Sequence, residues 1–277
     1  MPRPSTTTLV AVVILCGIAF GQNHAVSDSQ SQQSAPFQRD PTAVATISRA
    51  VTAMGFATTA DRMTVRLTGS VAPAPHSEDP AGTFTSIVEL TNSGYQVRNE
   101  FEYASDGKRT VFVAGKNGAA FSFGQRVIKM SAHLAMVTGP SQMPVFELIH
   151  VLTKPHYRVK QAAPRQVGGV SAVHITIRDD TDEVSKAVTP QDWYFDPTSG
   201  LPLRWEFQEP DTFNALARSV TTGAKEFSNY QRVNGMLLPM QATYFRGSQA
   251  ASVTTLSSAE LNLQIQDSVF DLPKGGN

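Results

Sequence analysis

Alternation of apolar and polar side chains, broken by short turns, dominates the chain from residue 62 onwards. Met63, Val65 and Leu67, for example, are separated by single polar residues. This period of two is typical of a β-strand with one face buried. Turn sequences such as Asn234-Gly235 separate such segments. Because a parallel crossover needs about a dozen residues or more, strands joined by such short turns run antiparallel.

The same pattern predicts a mainly β protein of the α+β class. The predicted strands cover residues 62–71, 83–90, 95–103, 110–114, 119–123, 156–162, 170–178, 192–195, 201–208, 224–232, 236–246, 252–255 and 260–266. A helix is predicted over residues 41–54, because Asp40 can cap it, Pro41 suits its first position and Gly55 ends the apolar spacing.

A second helical region interrupts the strands between Arg126 and Lys154. Val127, Met130, Leu134 and Val137 recur at helical spacing, and Gly139-Pro140 then breaks the pattern. A second run opens at Pro144 and is apolar over much of its circumference, which indicates burial against a sheet or in a groove. Two helices, or one broken helix, are expected here.

The first residues carry the features of an export signal. An apolar run over residues 9–20 follows Arg3, and Ala19-Phe20-Gly21 resembles a cleavage site. We therefore expect a signal peptide over residues 1–21, a flexible Ser/Gln-rich leader over residues 22–39 and a single domain over residues 40–277. Lipidation at Cys16 is the disfavoured alternative, because bulky Leu15 precedes this cysteine.

Composition excludes several functions. Cys16 is the single cysteine, so cleavage would leave no thiol for nucleophilic catalysis, thiolate metal sites or disulfides. Lys plus Arg and Asp plus Glu each total 23, which gives no field to attract nucleic acid. A periplasmic or secreted soluble protein, in transient contact with the membrane at most, is expected.

Several segments have the character of a strand, a turn and a second strand: 193–204 (WYFDPTSGLPLR), 227–230 (FSNY), 233–239 (VNGMLLP) and 270–273 (FDLP). They resemble segments of the periplasmic lipoprotein carriers, the LolA-like superfamily, and of related lipoprotein-sorting-like proteins. The resemblance implies an incomplete antiparallel β-barrel whose concave face is covered by helices, with a lipid-sized cavity inside. It assigns no catalytic residue, metal or cofactor.

Isolated polar residues offer weak alternatives. Glu147 and His150 have a Glu-x-x-His spacing known from di-metal bundles, although a polar stripe on an apolar helix explains them better. The acidic run 179–183 can be a calcium ligand set or a solvated connection between strands. Trp193 and Trp205 can stack on a sugar or pack in the sheet, and packing is favoured.

The leading functional hypothesis is a non-enzymatic carrier or sensor that binds a lipid or an acylated protein in an apolar cavity. Structural or interaction modules of the cell envelope with a filled core, and hydrolases with dispersed carboxylates, are the alternatives. The candidate ligand contacts are apolar residues of the central helical region: Met130, Leu134, Met143, Phe146, Leu148, Ile149 and Leu152.

Overall fold

The computed structural model describes residues 39–56, 62–91, 94–115, 118–130, 143–210 and 220–273. These residues form one antiparallel sheet and three α-helices, α1 (Pro41–Ala53), α2 (Pro144–Thr153) and α3 (Glu183–Val188). The strands are β1 (Arg62–Pro73), β2 (Gly82–Thr91), β3 (Gly94–Tyr103), β4 (Arg109–Gly115), β5 (Gly118–Phe123), β6 (Arg126–Met130), β7 (Tyr157–Val167), β8 (Val170–Asp179), β9 (Gln191–Phe195), β10 (Pro202–Pro210), β11 (Val220–Val233), β12 (Met236–Arg246) and β13 (Gln249–Leu261).

The sheet is open, with the order β6-β5-β4-β3-β2-β1-β13-β12-β11-β10-β9-β8-β7. Strands β1–β6 form one half of the sheet and strands β7–β13 form the other. Within each half, strands that are consecutive in the sequence are neighbours in the sheet, as the short turns predict. The halves are joined by β1 and β13, the first and last strands, which pair antiparallel at the centre. Edge strands β6 and β7 leave the barrel incomplete, which confirms the predicted half-barrel.

Helix α1 forms where the sequence predicts it. The Asp40 side chain accepts a hydrogen bond from the Thr42 backbone N–H at 2.8 Å, and Pro41 follows at the first position. At the other end Met54 donates to the Ala50 carbonyl, and Gly55 takes a left-handed conformation with φ of 82°. A side chain at Gly55 would contact the backbone oxygen of Gly235, so glycine lets α1 approach the β11–β12 hairpin.

Helix α2 lies on the same face of the sheet as α1. Seven of its residues are buried: Pro144, Val145, Phe146, Glu147, Leu148, Ile149 and Val151. Phe146 meets Phe56, at the end of the α1 segment, edge to face at 6.0 Å between ring centroids. The prediction of a largely buried helix beginning at Pro144 is confirmed.

The apolar core lies between these helices and the concave face of the sheet. Ile47 and Val51 of α1 and Phe146 and Leu148 of α2 belong to it. Trp193 and Trp205 are also buried there, with rings stacked 5.0 Å apart, so the packing interpretation of both tryptophans is confirmed.

The first predicted helix of the central region is wrong for residues 126–130. Arg126–Met130 forms strand β6, paired with β5 across a tight turn in which Gly124 has φ of 58°. Val127 and Ile128 are β-branched, and the glycine turn before them favours a hairpin. These two features outweigh the helical spacing of Val127 and Met130, which covers only one turn. Leu134 and the Gly139-Pro140 break lie outside the described residues.

The last two predicted strands are one strand, β13, with an irregularity. Thr68 pairs with Ser258 and Gly69 with Leu256, so Ser257 is an extra residue in the ladder. This β-bulge shifts the alternation by one position, and the sequence pattern consequently reads as two strands. Residues 262–266, predicted as strand, follow its end at Leu261 and precede the 3₁₀ helix Asp267–Phe270.

The acidic run serves as a local connection and as a helix cap. Asp182 accepts backbone hydrogen bonds from Val184 and Ser185 at the start of α3, a helix that the sequence did not predict. Asp180 is paired with Arg158 at 2.8 Å and with Arg178 at 2.5 Å. Within the described ranges, no group of three His, Cys, Asp or Glu residues is arranged to hold a metal ion.

Among the helices of the described residues, none has the length and apolar character needed to cross a membrane.

Candidate functional site

The predicted ligand-contact residues on α2 face the interior. Met143, Phe146, Leu148 and Ile149 are buried, and Leu152 is partly buried against the same core. Met130 ends β6, opposite Ala119, and Leu134 lies outside the described part of the chain. The structure thus brings five of the predicted residues to one segment over the concave face. Their contact with a ligand stays a prediction.

Glu147 is the unusual member of this helix, because it is a carboxylate in the apolar interior. Its exposed fraction is 5%, and its Oε1 atom has no hydrogen-bond partner. Burial raises the pKa of Glu147 to about 7, while a hydrogen bond from Tyr95 and the charge of Lys225 act in the opposite direction. Glu147 is therefore close to its titration point at neutral pH.

Tyr95 reaches Glu147 from the sheet. Strand β3 places it on the same face as buried Val97, two residues along. Burial raises the pKa of Tyr95 well above its ordinary value, and the nearby Glu147 charge adds to the shift. The phenol is consequently neutral and can donate a hydrogen bond to the carboxylate.

His150 lies one turn further along α2, between two tyrosine rings. It meets Tyr95 at 5.5 Å and Tyr157 of β7 at 5.7 Å, both edge to face. Burial lowers the pKa of His150 to about 4, with further lowering by Lys154 and His156. His150 is therefore a neutral aromatic packing residue, and its interactions are with tyrosines rather than with a second metal ligand.

Lys225 supplies a cation to the concave face. It lies on β11 opposite Trp205 of β10 and Tyr244 of β12, and its exposed fraction is 8%. Alternation along β11 places Lys225 on the same face as buried Phe227. Its charge stabilises the ionised form of Glu147. The sequence did not draw attention to Lys225. However, Lys225 lies two residues before the apolar Phe227 on a predicted strand, which places both side chains on the same face.

Arg39 attaches α2 at its carboxyl end. Its guanidinium donates to the carbonyl oxygens of Lys154 at 2.7 Å and Val151 at 3.1 Å. These are terminal carbonyls of the helix, where a cation also interacts favourably with the helix dipole. The backbone beside Arg39 is fixed in turn by a hydrogen bond from Asp40 N–H to the Val159 carbonyl of β7.

A second polar cluster lies on the opposite, convex face, where a depression of about 310 Å³ surrounds Tyr194. The Tyr194 hydroxyl accepts from Arg165 at 2.9 Å and donates to Glu206 at 3.1 Å. Arg204 is bound to both Glu206, at 2.8 Å, and Glu226, at 2.6 Å. Since both arginines already have acidic or phenolic partners, this cluster is a satisfied surface network rather than a charged binding site.

The fold is similar to several solved structures. A domain described as an outer membrane lipoprotein-sorting protein from Vibrio parahaemolyticus superposes with a TM-score of 0.53 at 12% identity, over 83% of this chain and 96% of that one. A LolA-superfamily protein from Nitrosomonas europaea gives 0.53 at 11% identity, over 83% and 97%. A DUF1329-family protein from Desulfovibrio piger gives 0.51 at 13% identity, over 83% and 97%.

These similarities define the fold class. The protein has a LolA-like fold, an incomplete antiparallel barrel with helices on its concave face, as the sequence segments predicted. No protein-family sequence model and no curated protein matches the chain. At 11–13% identity the structural likeness concerns architecture, so function has to be argued from the residues of this chain.

Proposed function

We propose that this protein is a non-enzymatic carrier or sensor of the periplasm or the extracellular space. It binds the acyl chain of a lipid or of a lipid-modified protein on the concave face of the half-barrel. Helix α2 closes this face in the structure described here, and its displacement opens the space for the ligand. The LolA-like fold, together with a structural neighbour that is described as an outer membrane lipoprotein-sorting protein domain, supports this assignment.

The observation that carries the proposal is the way α2 fills the concave face. Its apolar side chains lie against the sheet, whereas edge strands β6 and β7 are not neighbours in the sheet. A half-barrel closed by a separate helix can exchange that helix for another apolar occupant without breaking any strand pairing. An acyl chain has the required chemistry, because burying its methylene groups contributes about 0.8 kcal/mol each.

The test uses a fluorescent fatty-acid probe and thermal melting on the same samples. Leu148→Ala and Ile149→Ala each remove buried contacts between α2 and the core, with an expected loss of about 2–5 kcal/mol in closed-state stability. Val184→Ala is the control, because Val184 is 50% exposed on α3. We expect saturable probe uptake by the wild-type protein and altered probe affinity in the two α2 variants.

The alternative is a structural or interaction module whose core is permanently filled. The complete burial of Phe146 and Leu148 favours it. Failure of the wild-type protein to take up any probe, with strongly lowered melting of both α2 variants, would contradict the carrier proposal and support this module.

A further inference from the structure

Trp205 carries a buried hydrogen-bond donor without an acceptor. Its exposed fraction is 6%, and within the described part of the chain its Nε1 atom has no hydrogen-bond partner. An indole N–H can only donate, and a buried tryptophan usually meets an acceptor. Trp193, whose ring stacks on that of Trp205, follows this rule, because its Nε1 donates to Gln191 Oε1 at 2.8 Å. Trp205 is therefore the exception of the pair.

Helix α2 covers this donor without satisfying it. Trp205 belongs to the same core cluster as Phe146 and Leu148 of α2. The carboxylate that α2 brings into the interior is Glu147, and its Oε1 atom also lacks a partner among the described residues, so this oxygen does not accept from Trp205. The closed arrangement thus leaves a donor of the sheet unpaired beneath the helix.

Trp205 also lies where an apolar surface ends. Every second residue of β12 faces the core, beginning with four apolar side chains: Met236, Leu238, Met240 and Ala242. The next in this series is Tyr244, which lies opposite Lys225 of β11, and Lys225 lies opposite Trp205 of β10. Directly opposite residues share a face, so these three form a polar row across the concave face. Lys225 and Tyr244 each have other interactions.

We propose that the indole N–H of Trp205 binds the carbonyl oxygen of an acyl ligand, whose hydrocarbon chain lies along the apolar series of β12. The inference rests on the proposed function and names the class of ligand, an acyl chain joined through an ester or an amide. A glycerolipid supplies the ester, and an N-acylated protein supplies the amide.

The unpaired donor favours exchange of α2 for such a ligand. With α2 closed, the N–H of Trp205 has lost its hydrogen bond to water and has gained none in its place, which disfavours the closed state. A pure hydrocarbon would leave this loss uncorrected. A carbonyl oxygen corrects it and carries no charge, so it enters an apolar interior at a lower cost than an ion. The hydrogen bond also fixes the position of the chain, because it requires the carbonyl to lie level with Trp205.

The primary experiment compares matched ligands on three proteins. Methyl octanoate, N-methyloctanamide and nonyl chloride have chains of similar length, and the chloride is a poor hydrogen-bond acceptor. Each compound competes with a neutral fluorescent naphthylamine probe for the wild-type protein, Trp205→Phe and Trp193→Phe. Comparison of one ligand across the three proteins cancels the hydrophobicity of that ligand.

The expected result is a loss that depends on the carbonyl group. Trp205→Phe should weaken binding of the ester or the amide about fivefold to tenfold more than binding of nonyl chloride, which corresponds to about one neutral hydrogen bond. Trp193→Phe removes a similar ring volume from the same stack, but its donor is already paired. It should therefore change all three affinities by one common factor. A larger loss for the ester in Trp205→Phe indicates a lipid ester, and a larger loss for the amide indicates an acylated protein.

The outcomes distinguish this inference from the proposed function. One common factor for all three ligands in Trp205→Phe would overturn the carbonyl site and leave an acyl carrier intact. Absence of probe uptake and of displacement by every compound would overturn both.

A second variant keeps the test decisive if Trp205→Phe does not fold. The chain has two tryptophans, so Trp193→Phe leaves Trp205 as the only indole. Expression of Trp193→Phe in a tryptophan auxotroph supplied with benzothienylalanine replaces the N–H of Trp205 by sulfur and keeps the two-ring shape. This protein should lose the preference for methyl octanoate over nonyl chloride that Trp193→Phe itself retains. An unchanged preference would overturn the inference.

Discussion

Glu147 and His150 lie one turn apart on α2, and burial favours the neutral form of both. The pKa of Glu147 rises from 4.5 to about 7, and that of His150 falls from 6.5 to about 4. Glu147 thus makes the folded state retain a proton, and its contribution to stability declines as pH rises from about 4.5 to about 7. The contribution of His150 has the opposite sign, because it declines as pH falls from about 6.5 to about 4. The two contributions oppose each other between about pH 4.5 and 6.5.

Single substitutions should reveal each contribution. In Glu147→Gln, the free energy of unfolding should rise by up to about 3 kcal/mol between pH 4 and 6.5, because His150 alone remains of the pair. In His150→Gln, it should fall by a similar amount between pH 4.5 and 7. Urea unfolding at a series of pH values measures both slopes. Curves of the same shape in the two variants would contradict opposite titration of this pair.

The sequence drew attention to Glu147 and His150, but it did not single out Tyr95 and Lys225. Glu147 is conspicuous because it lies in an apolar helix, and the spacing to His150 suggested a polar stripe. The hydrogen bond from Tyr95 and the influence of the Lys225 charge on its pKa depend on how far the sheet curves around α2, which no local sequence pattern records. The sequence could consequently predict the apolar helix of the candidate site. It could not predict that a buried carboxylate of this helix lies near a phenol and an ammonium group of the sheet.

At the scale of elements, α2 depends on side-chain packing and on a few terminal hydrogen bonds, whereas each inner strand is hydrogen-bonded along both edges. We therefore expect backbone amides of α2 to exchange hydrogen faster than those of central strands β1 and β13. Hydrogen exchange followed by mass spectrometry or NMR measures the difference. Equal protection of α2 and the central strands would indicate a static plug.

Arg39 is the residue through which α2 can be loosened selectively. Arg39→Met removes both donors to the Val151 and Lys154 carbonyls, with an expected loss of about 1–3 kcal/mol that should appear as faster exchange in α2. Arg66→Met is a suitable control, because Arg66 forms an exposed ion pair with Glu260. A uniform change in exchange over the sheet would mean that Arg39 supports the whole fold rather than this helix.

Most helices and strands could be predicted from the sequence, and the predictions that were wrong have local causes. Asn234 and Gly235 have φ of 47° and 86°, so the predicted Asn-Gly hairpin turn is confirmed. At Arg126–Met130, one turn of helical spacing was too short to outweigh the β-branched pair Val127 and Ile128. In β13, a bulge at Ser257 reversed the phase of an otherwise regular strand.

At the scale of the whole molecule, export remains a prediction from the first residues. We expect the mature chain to begin at or near Gln22 without an acyl group, because Ala19-Phe20-Gly21 fits signal peptidase and Leu15 disfavours lipidation of Cys16. N-terminal sequencing and intact mass of protein from its native envelope decide this. A start at Cys16 with added lipid mass would instead indicate a membrane-anchored protein.

The central pairing of β1 with β13 has a consequence for how this chain acquires its structure. Val65 pairs with Leu261, so the middle of the sheet joins residues from opposite ends of the described chain. Contacts of such long sequence separation slow folding, because a large loop must close before they form. The two hairpin series can each begin locally, but neither gains its central neighbour until the last strand has been synthesised. Such a chain stays incompletely folded throughout synthesis, and this delay is compatible with passage through a translocation channel as an extended polypeptide.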